Sequence, residues 1–267
     1  MSQKRTIYKM TKGFTTIELM IAATLGLLLL GGVLQLFIGS NRNYSMQEQL
    51  STIQENGRFA MMFLEEEIQK AGWSENYTDS PKSLELGMSS DGINGSSDSI
   101  AISYKGVAGG VIDNRDCNGA EVASGIIINR YYVDATTNQL MCQGNGGFAA
   151  QPYLSNVERF EVLYGVDTDK TCPDGVVNSY MSLNNVVGQG YAGLVYSVRF
   201  AVLLKGDKSI LDITQKSNGY QVLDQLYIPQ EDHMARRLFQ QTVFMPNAVF
   251  ASAASPEAII DCMSSNI

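Results

Sequence analysis

The chain has 267 residues, 45% of them hydrophobic, and a formal net charge of −8. This acidic balance argues against a nucleic-acid-binding surface, which would need clustered Lys and Arg, so we expect no nucleic-acid partner. The length is sufficient for one globular domain with a substantial core in addition to a long N-terminal helix.

A basic segment precedes a long apolar run at the N-terminus. Its cations are Lys4, Arg5, Lys9 and Lys12, and no charged residue occurs between Leu19 and Ser40. Such a run can cross the ~30 Å hydrocarbon core as a helix, so we predict a transmembrane segment over residues 14–40. The basic flank predicts a cytoplasmic N-terminus and places the rest of the chain across the membrane. A secretory signal peptide is disfavoured because its apolar region has only ~7–15 residues and ends in a small-residue cleavage site.

One carboxylate, that of Glu18, lies at the start of the apolar run. A charge inside a membrane helix costs roughly 2.5–3.5 kcal/mol on insertion scales, and it is usually there for a functional reason. We therefore select Glu18 as a candidate functional residue. The alternative is that its side chain only snorkels to the membrane–water interface.

The apolar run continues into an amphipathic helix. Apolar or small residues recur every three or four positions from Met46 to Ala71, with charged and amide side chains between them. No proline occurs before Pro81, so we predict one helix over residues 14–72, whose second half packs against a sheet.

Four glycines lie in the apolar run, and three of them, Gly31, Gly32 and Gly39, fall in its second half. Each weakens a helix by up to ~1 kcal/mol relative to Ala. Two interpretations stay open: a zone of the helix that can melt, or close packing against other helices in the membrane.

Residues 73–267 are predicted to form a globular domain outside the membrane, beginning with a surface connection rich in Ser, Asp, Asn and Gly. Turn residues separate the following segments with strand character. The predicted strands are 99–104, 125–133, 139–142, 157–166, 194–204 and a last one near 240–246. Apolar residues alternate from Phe160 to Val166, which suits a sheet with one solvated face. Strands that follow one long helix predict an α+β fold with an antiparallel sheet.

All four cysteines follow the membrane segment: Cys117, Cys142, Cys172 and Cys262. An even count in an oxidising compartment favours two disulfides. Of the three possible connectivities we favour Cys117–Cys142, which closes a local loop, with Cys172–Cys262, which would fix the C-terminal tail. A zinc site is disfavoured because no C-x-x-C spacing occurs and the only histidine, His233, is distant in sequence.

The segment Lys12-Gly13-Phe14-Thr15-Thr16-Ile17-Glu18-Leu19 resembles the class III signal of type IV pilins and type II secretion pseudopilins. It departs from the family at Thr16, where Leu is more frequent. The resemblance implies that a prepilin peptidase removes a basic leader, residues 1–13, by cutting between Gly13 and Phe14, and that Phe14 is then N-methylated. Glu18 becomes the fifth mature residue. In a low dielectric its carboxylate is a natural partner for the cationic terminus of a neighbouring subunit.

Later patches are similar to the PilW group of minor pilins. They are Gln54–Ala60 with Ile68–Gly72, Val157–Asp167, and the strand Val195–Leu204 with Arg236–Val243. The resemblance implies a non-enzymatic, single-pass inner-membrane protein with a pilin-like fold and a periplasmic C-terminal domain. Its expected partners are other minor pilins, the major pilin and an adhesin-like protein at the pilus tip, where it would initiate or cap a type IV pilus. A J-type pseudopilin of a type II secretion system is the alternative.

Two sequence patterns resemble ligand sites but have simpler explanations. Residues Gly188 to Gly193 spell G-x-G-x-x-G, yet a strand pattern follows in place of the helix that a dinucleotide site needs, so we predict a turn. Two oxygen-rich clusters could bind calcium, but neither has the twelve-residue spacing or terminal Glu of an EF-hand, and turns capped by Asx side chains are commoner. The clusters are Asp113, Asn114, Asp116 and Asn118, and Asp167, Asp169 and Asp174. We expect no metal and no cofactor, with calcium as the alternative.

Residues Glu231-Asp232-His233 place a base beside two acids. No Ser or Cys nucleophile is identifiable as a partner, so we expect no catalytic residue and interpret the segment as a solvated turn. A membrane-anchored periplasmic hydrolase is the remote alternative. Arg236 and Arg237 are predicted to form a local ion pair or an interface charge and not a phosphate site.

Overall fold

The computed structural model describes residues 13–92, 96–170, 173–209, 219–229 and 233–248. The chain divides into two compact units, Met1–Glu48 and Gln49–Ile267. Helix α1 (Thr16–Gln69) contributes residues to both units. The prediction of residues 14–72 was longer by two residues at the start and three at the end. The chain leaves the helix through a turn that ends at Gly72, whose φ of 77° is readily adopted only by glycine.

The first unit consists, over its described residues, of α1 up to Glu48 and the short extended segment before it. The large apolar side chains from Phe14 to Ile38 are exposed, with Leu28 74% exposed and Leu36 76% exposed. By length and composition this helix can cross a membrane.

The second unit contains two four-stranded antiparallel sheets, so the prediction of a single sheet was too simple. The first sheet has the order β1 (Ser99–Lys105), β2 (Ile126–Asp134), β3 (Gln139–Gly144) and β4 (Gln151–Ser155). The remaining elements, in chain order, are β5 (Val157–Val166), β6 (Ser179–Met181), α2 (Leu183–Gly188), β7 (Val195–Ser209), β8 (Tyr220–Val222), β9 (Gln225–Tyr227) and β10 (Met234–Phe244). The second sheet has the order β10-β7-β5-β6, and β8 and β9 form a separate hairpin. A short 3-10 turn, Tyr77–Asp79, precedes β1. The α+β fold class with antiparallel sheets is confirmed.

The part of α1 after Glu48 buries one stripe against the second unit's core. The buried positions are Gln49, Ile53, Gly57, Ala60, Leu64, Glu67 and Ile68. Their spacing of three or four residues keeps them on one face of the helix. At Gly57 the helix approaches β10 so closely that an added Cβ would lie 2.2 Å from Phe239 Cζ. Glycine is therefore needed at this contact.

A buried polar network also joins α1 to the first sheet. Glu67 Oε2 accepts hydrogen bonds from the Tyr131 hydroxyl at 2.7 Å and from Asn129 Nδ2 at 3.4 Å. Glu67 Oε1 accepts one from Lys70 Nζ at 2.7 Å. Burial, with the nearby Glu67 carboxylate, raises the pKa of Tyr131 well above its usual value, so the phenol remains a donor. The buried charge of Glu67 is thus well compensated.

Strand β5 shows why the prediction of a solvated outer face was partly wrong. Phe160, Val162, Tyr164 and Val166 point into the core, as the alternation indicated. On the opposite face, however, Arg159 and Glu161 are only 5% and 1% exposed. The β8–β9 hairpin covers this part of the face: the Arg159 guanidinium lies 4.8 Å from the centre of the Tyr227 ring. The alternation of apolar and polar residues along β5 cannot indicate that a hairpin from elsewhere in the chain covers its polar face.

Candidate functional site

The predicted cleavage bond lies outside the helix. Gly13, Phe14 and Thr15 have no regular secondary structure, and α1 begins at Thr16. Phe14 is 90% exposed. A peptidase must reach an accessible peptide bond that is not held in helical hydrogen bonds, and the Gly13–Phe14 bond meets this condition. Residues 1–12 of the predicted leader lie outside the described part of the chain.

Thr15 and Glu18 cap the first turn of α1. The Thr15 backbone N–H and the Thr15 hydroxyl both donate to Glu18 Oε2, each at 2.9 Å. In return, the Glu18 backbone N–H donates to Thr15 Oγ1 at 3.3 Å. This reciprocal pair is a capping box, in which the N-cap side chain and the N3 carboxylate each satisfy one free backbone donor.

The capping box fixes the orientation of the Glu18 carboxylate. All of its hydrogen bonds from the described residues go to Oε2, which leaves Oε1 available as an acceptor. The negative charge also lies in the first helical turn, where the helix dipole favours it. Sequence reasoning selected Glu18 but missed Thr15. The signal was present as the spacing Thr15-x-x-Glu18 ahead of an apolar run, which is the signature of a capping box.

The cysteine pair of the first sheet forms the disulfide that we favoured. Cys117 and Cys142 are bonded, with their Cα atoms 6.4 Å apart, so the loop that contains Cys117 is attached to β3. Tyr153 strengthens this attachment, because its hydroxyl donates to the Cys117 carbonyl at 2.6 Å. The second predicted pair, Cys172 and Cys262, lies outside the described residues.

The first oxygen-rich cluster is explained by backbone turns. Asp116 is 5% exposed, and its Oδ1 accepts from the N–H groups of Asn118 and Ala120, each at 2.9 Å. Its Oδ2 accepts from the Gly146 N–H at 2.7 Å. Asp113 lies apart from this arrangement, with one carboxylate oxygen 3.3 Å from Arg115 Nε. Asp116 therefore acts as a structural acceptor that holds two loops together.

The second cluster brings three carboxylates together. Ligand atoms of Asp167, Asp169 and Asp174 lie within 4.8 Å of one another. Asp167 is fully buried and is satisfied by the backbone: Oδ1 accepts from the Asp169 N–H at 2.8 Å and Oδ2 from the Gly175 N–H at 2.9 Å. The first of these bonds is the Asx-type turn that the sequence indicated, and the second holds a more distant part of the same loop.

The remaining candidates are separated in the fold. The segment from Gly188 to Gly193 follows α2 and leads directly into β7, so a strand occupies the place where a dinucleotide site needs a helix. His233 is exposed, with a φ of 55°, and its sequence neighbours Glu231 and Asp232 lie outside the described residues. Arg236 forms a bidentate ion pair with Glu158, at 2.6 and 3.0 Å. Arg236 thus forms an ion pair, as one of the two predicted alternatives had it, but with a partner that is distant in sequence.

Residues 130–247 match the family described as Type IV Pilus-assembly protein W, PilW. The resemblance to PilW is thereby confirmed. The PilW match begins within β2 and ends just after β10, and so it leaves α1 and the Glu18 site outside its limits. The sequence analysis identified β5, and the pair β7 and β10, as similar to PilW, and all three strands lie inside the match. No curated protein sequence matches this chain.

Among solved structures, a type IV-like pilin from Thermus thermophilus is similar to this chain, with a TM-score of 0.44 and 12% sequence identity. The similarity covers 74% of this chain and 98% of that one.

Proposed function

We propose that this chain is a minor pilin that joins other minor pilins and the major pilin to initiate or cap a type IV pilus. The PilW match over residues 130–247 is the observation that carries the proposal. The apolar half of α1 and the octet around Gly13 support it. In this role the chain acts through contacts between subunits, not by catalysis.

The proposed route begins in the inner membrane, with the N-terminus cytoplasmic and the C-terminal domain periplasmic. A prepilin peptidase cuts the exposed Gly13–Phe14 bond and Phe14 is methylated. The mature chain then moves into the pilus, near its tip, where an adhesin-like protein is a further expected partner. The acidic charge of the chain gives no support to a nucleic-acid partner.

Glu18 would direct the assembly step. After cleavage, the Phe14 amine carries a positive charge, and neither this ion nor the Glu18 carboxylate is stable alone in a low dielectric. Thr15 binds only Oε2 of Glu18, so Oε1 remains for the amine of a neighbouring subunit. Glu18 lies in the first turn of α1 and the Phe14 amine two residues before that helix, so their pairing would set the axial offset between two subunits.

The test is the substitution Glu18→Ala in cells that make pili. We expect normal cleavage and methylation, measured by intact mass of the membrane form. We also expect at least a tenfold loss of the chain from sheared pili, because only ~1.4 kcal/mol of lost contact energy is needed for that factor. Thr24→Val is the matched control, since it removes a polar group from the same segment, and among the described residues the Thr24 hydroxyl bonds to the Ile21 carbonyl of its own helix.

Normal incorporation of the Glu18→Ala chain would overturn the pairing role, and an unprocessed N-terminus in assembled pili would overturn the proposal as a whole. A deletion strain distinguishes the alternative function. Loss of pili with normal type II secretion supports the minor pilin, and the opposite result supports a J-type pseudopilin.

A further inference from the structure

The β8–β9 hairpin covers part of the outer face of the second sheet, where Tyr227 lies against Arg159. Val222 of the hairpin is fully buried. Beneath it, Ala201 and Leu203 are also fully buried, and their registers with Glu161 and Arg159 place all four on the outer face. The hairpin turns at Leu223, whose φ of 53° is costly for a residue with a branched side chain. A strained hairpin is therefore held down on a buried, partly charged surface.

Two carboxyl groups meet below this hairpin. Glu161 of β5 is 1% exposed, and Asp98, just before β1, is 7% exposed. Asp98 bonds to β5 on both sides of Glu161, because its N–H donates to the Phe160 carbonyl at 2.8 Å and its Oδ2 accepts from the Val162 N–H at 2.8 Å. Glu161 Oε1 lies 3.7 Å from Arg159 Nε and has no hydrogen-bond partner among the described residues. The other charged groups that face this pair are Asp224 in the hairpin turn and Asp91 beside Asp98. Acids thus outnumber bases among the described neighbours.

The hydrogen bonds decide which of the two acids keeps a proton. Asp98 Oδ1 accepts from the Gly92 N–H at 2.6 Å, and Oδ2 accepts from the Val162 N–H at 2.8 Å. Burial raises the pKa of Asp98 above its usual value, whereas these two bonds favour its ionised form. Glu161 is then the donor between the two carboxyl groups. Burial, together with the charge of Asp98, raises the pKa of Glu161 to about 8.

We propose that Glu161 holds a proton that it shares with Asp98, and that loss of this proton releases the β8–β9 hairpin from the outer face of the sheet. Without it, two carboxylates would face each other under a cover of apolar side chains, with one arginine beside them. Opening the hairpin admits water to both charges. It also uncovers Ala201 and Leu203, so the apolar surface that the second unit exposes becomes dependent on pH.

The raised pKa of Glu161 determines whether hairpin opening increases or decreases with pH. The pKa of Glu161 in the closed state is raised from an ordinary 4.5 to about 8. Below pH 4.5 the protonated Glu161 stabilises the closed hairpin fully. This contribution is lost as the pH rises through about 8. The equilibrium constant for hairpin opening should therefore increase ~10-fold per pH unit between these values and become constant above about 8.

Hydrogen exchange of the full-length chain in lipid nanodiscs tests this dependence, with rates corrected for the intrinsic effect of pH. The peptide covering residues 219–229 should show the tenfold slope, and the core amides of β5 should stay protected throughout. In Glu161→Gln, which is permanently neutral, the slope should vanish and the hairpin should remain protected at high pH. Asp224→Asn is the matched control, because it removes an exposed hairpin carboxylate but keeps the Glu161 proton, so the slope should persist.

A flat profile in the unsubstituted chain, or an unchanged slope in Glu161→Gln, would overturn the proposal. If Glu161→Gln does not fold, a direct titration of the Glu161 carboxyl carbon by NMR in the unsubstituted chain decides the matter. A midpoint near 8 supports the shared proton, and a midpoint near 4.5 contradicts it.

Discussion

The two parts of helix α1 have the same backbone structure and opposite surroundings. Before Glu48, large apolar side chains such as Leu28 are mostly exposed. After Glu48, Leu64 and Ile68 are 0% and 1% exposed within the core of the second unit. One helix therefore supplies both an apolar surface that no described residue of the first unit covers and a stripe that completes the core of the second unit.

The residue pattern of each part of α1 indicates what packs against it. The stripe after Glu48 alternates with polar residues because only one face is buried by the sheets. The stretch from Leu19 to Ser40 has no charged residue and is apolar on every side, which is the composition expected when lipid or other helices surround it. Substitutions in the two parts should accordingly affect different measurements: folding of the second unit for one, and membrane or pilus assembly for the other.

The largest difference in the free energy of unfolding of the second unit is expected between Leu64→Ala and Leu28→Ala. Leu64 is fully buried, so its truncation should reduce the free energy of unfolding of the second unit by about 3 kcal/mol. Leu28 is 74% exposed, and its truncation should change that free energy by less than about 0.5 kcal/mol. Urea unfolding of the full chain in micelles measures both, with the single tryptophan, Trp73, as a reporter packed against the core. Equal losses of unfolding free energy in the two variants would contradict the assignment of Leu64 to the core and of Leu28 to an exposed surface.

Much of the fold could be predicted from local sequence patterns. The bounds of β5 agree with the prediction, and β1, β2 and β3 differ from it by one or two residues at their ends. These strands have strong alternation or clear turn residues at their limits. The same holds for α1, where the apolar run and the missing prolines are local signals.

Features that depend on distant contacts were not predicted. The division into two sheets is determined by which strands pair, and β8–β9 is too short to show a period. The burial of Glu161 follows from that hairpin, so a polar residue on a strand was interpreted as solvated. At the candidate site, Glu18 was visible as a charge in an apolar run, whereas Thr15 becomes meaningful only once α1 is seen to begin at Thr16.

A smaller effect is expected at Gly57, where the helix touches β10. In Gly57→Ala the new Cβ would lie 2.2 to 2.5 Å from three atoms of the Phe239 ring, so the ring must move. Overpacking of this kind costs about 1–3 kcal/mol, which exceeds the gain of ~1 kcal/mol in helix propensity. We expect the free energy of unfolding to fall by about 1 kcal/mol in the same urea experiment.

A double-mutant cycle with Phe239→Ala sharpens this prediction. Once the ring is removed, Gly57→Ala should become stabilising by up to ~1 kcal/mol, because only the gain in helix propensity remains. A destabilising effect of the same size in both backgrounds would show that the Phe239 contact is not the cause.

The smallest effect on folding is expected at Gly31, the counterpart of Gly57 in the apolar part. Apart from the adjoining backbone of α1, no atom of the described residues lies within 4 Å of the Cβ that Gly31→Ala would add, so the unfolding of the second unit should be unchanged. The structure keeps α1 helical through Gly31, Gly32 and Gly39, and we therefore expect these glycines to serve close packing with other helices. Incorporation into pili should then tolerate Gly31→Ala and decrease in Gly31→Leu, because the obstacle is side-chain volume. If the segment must instead melt during assembly, Ala and Leu would impair incorporation equally, since each strengthens the helix relative to glycine by ~1 kcal/mol.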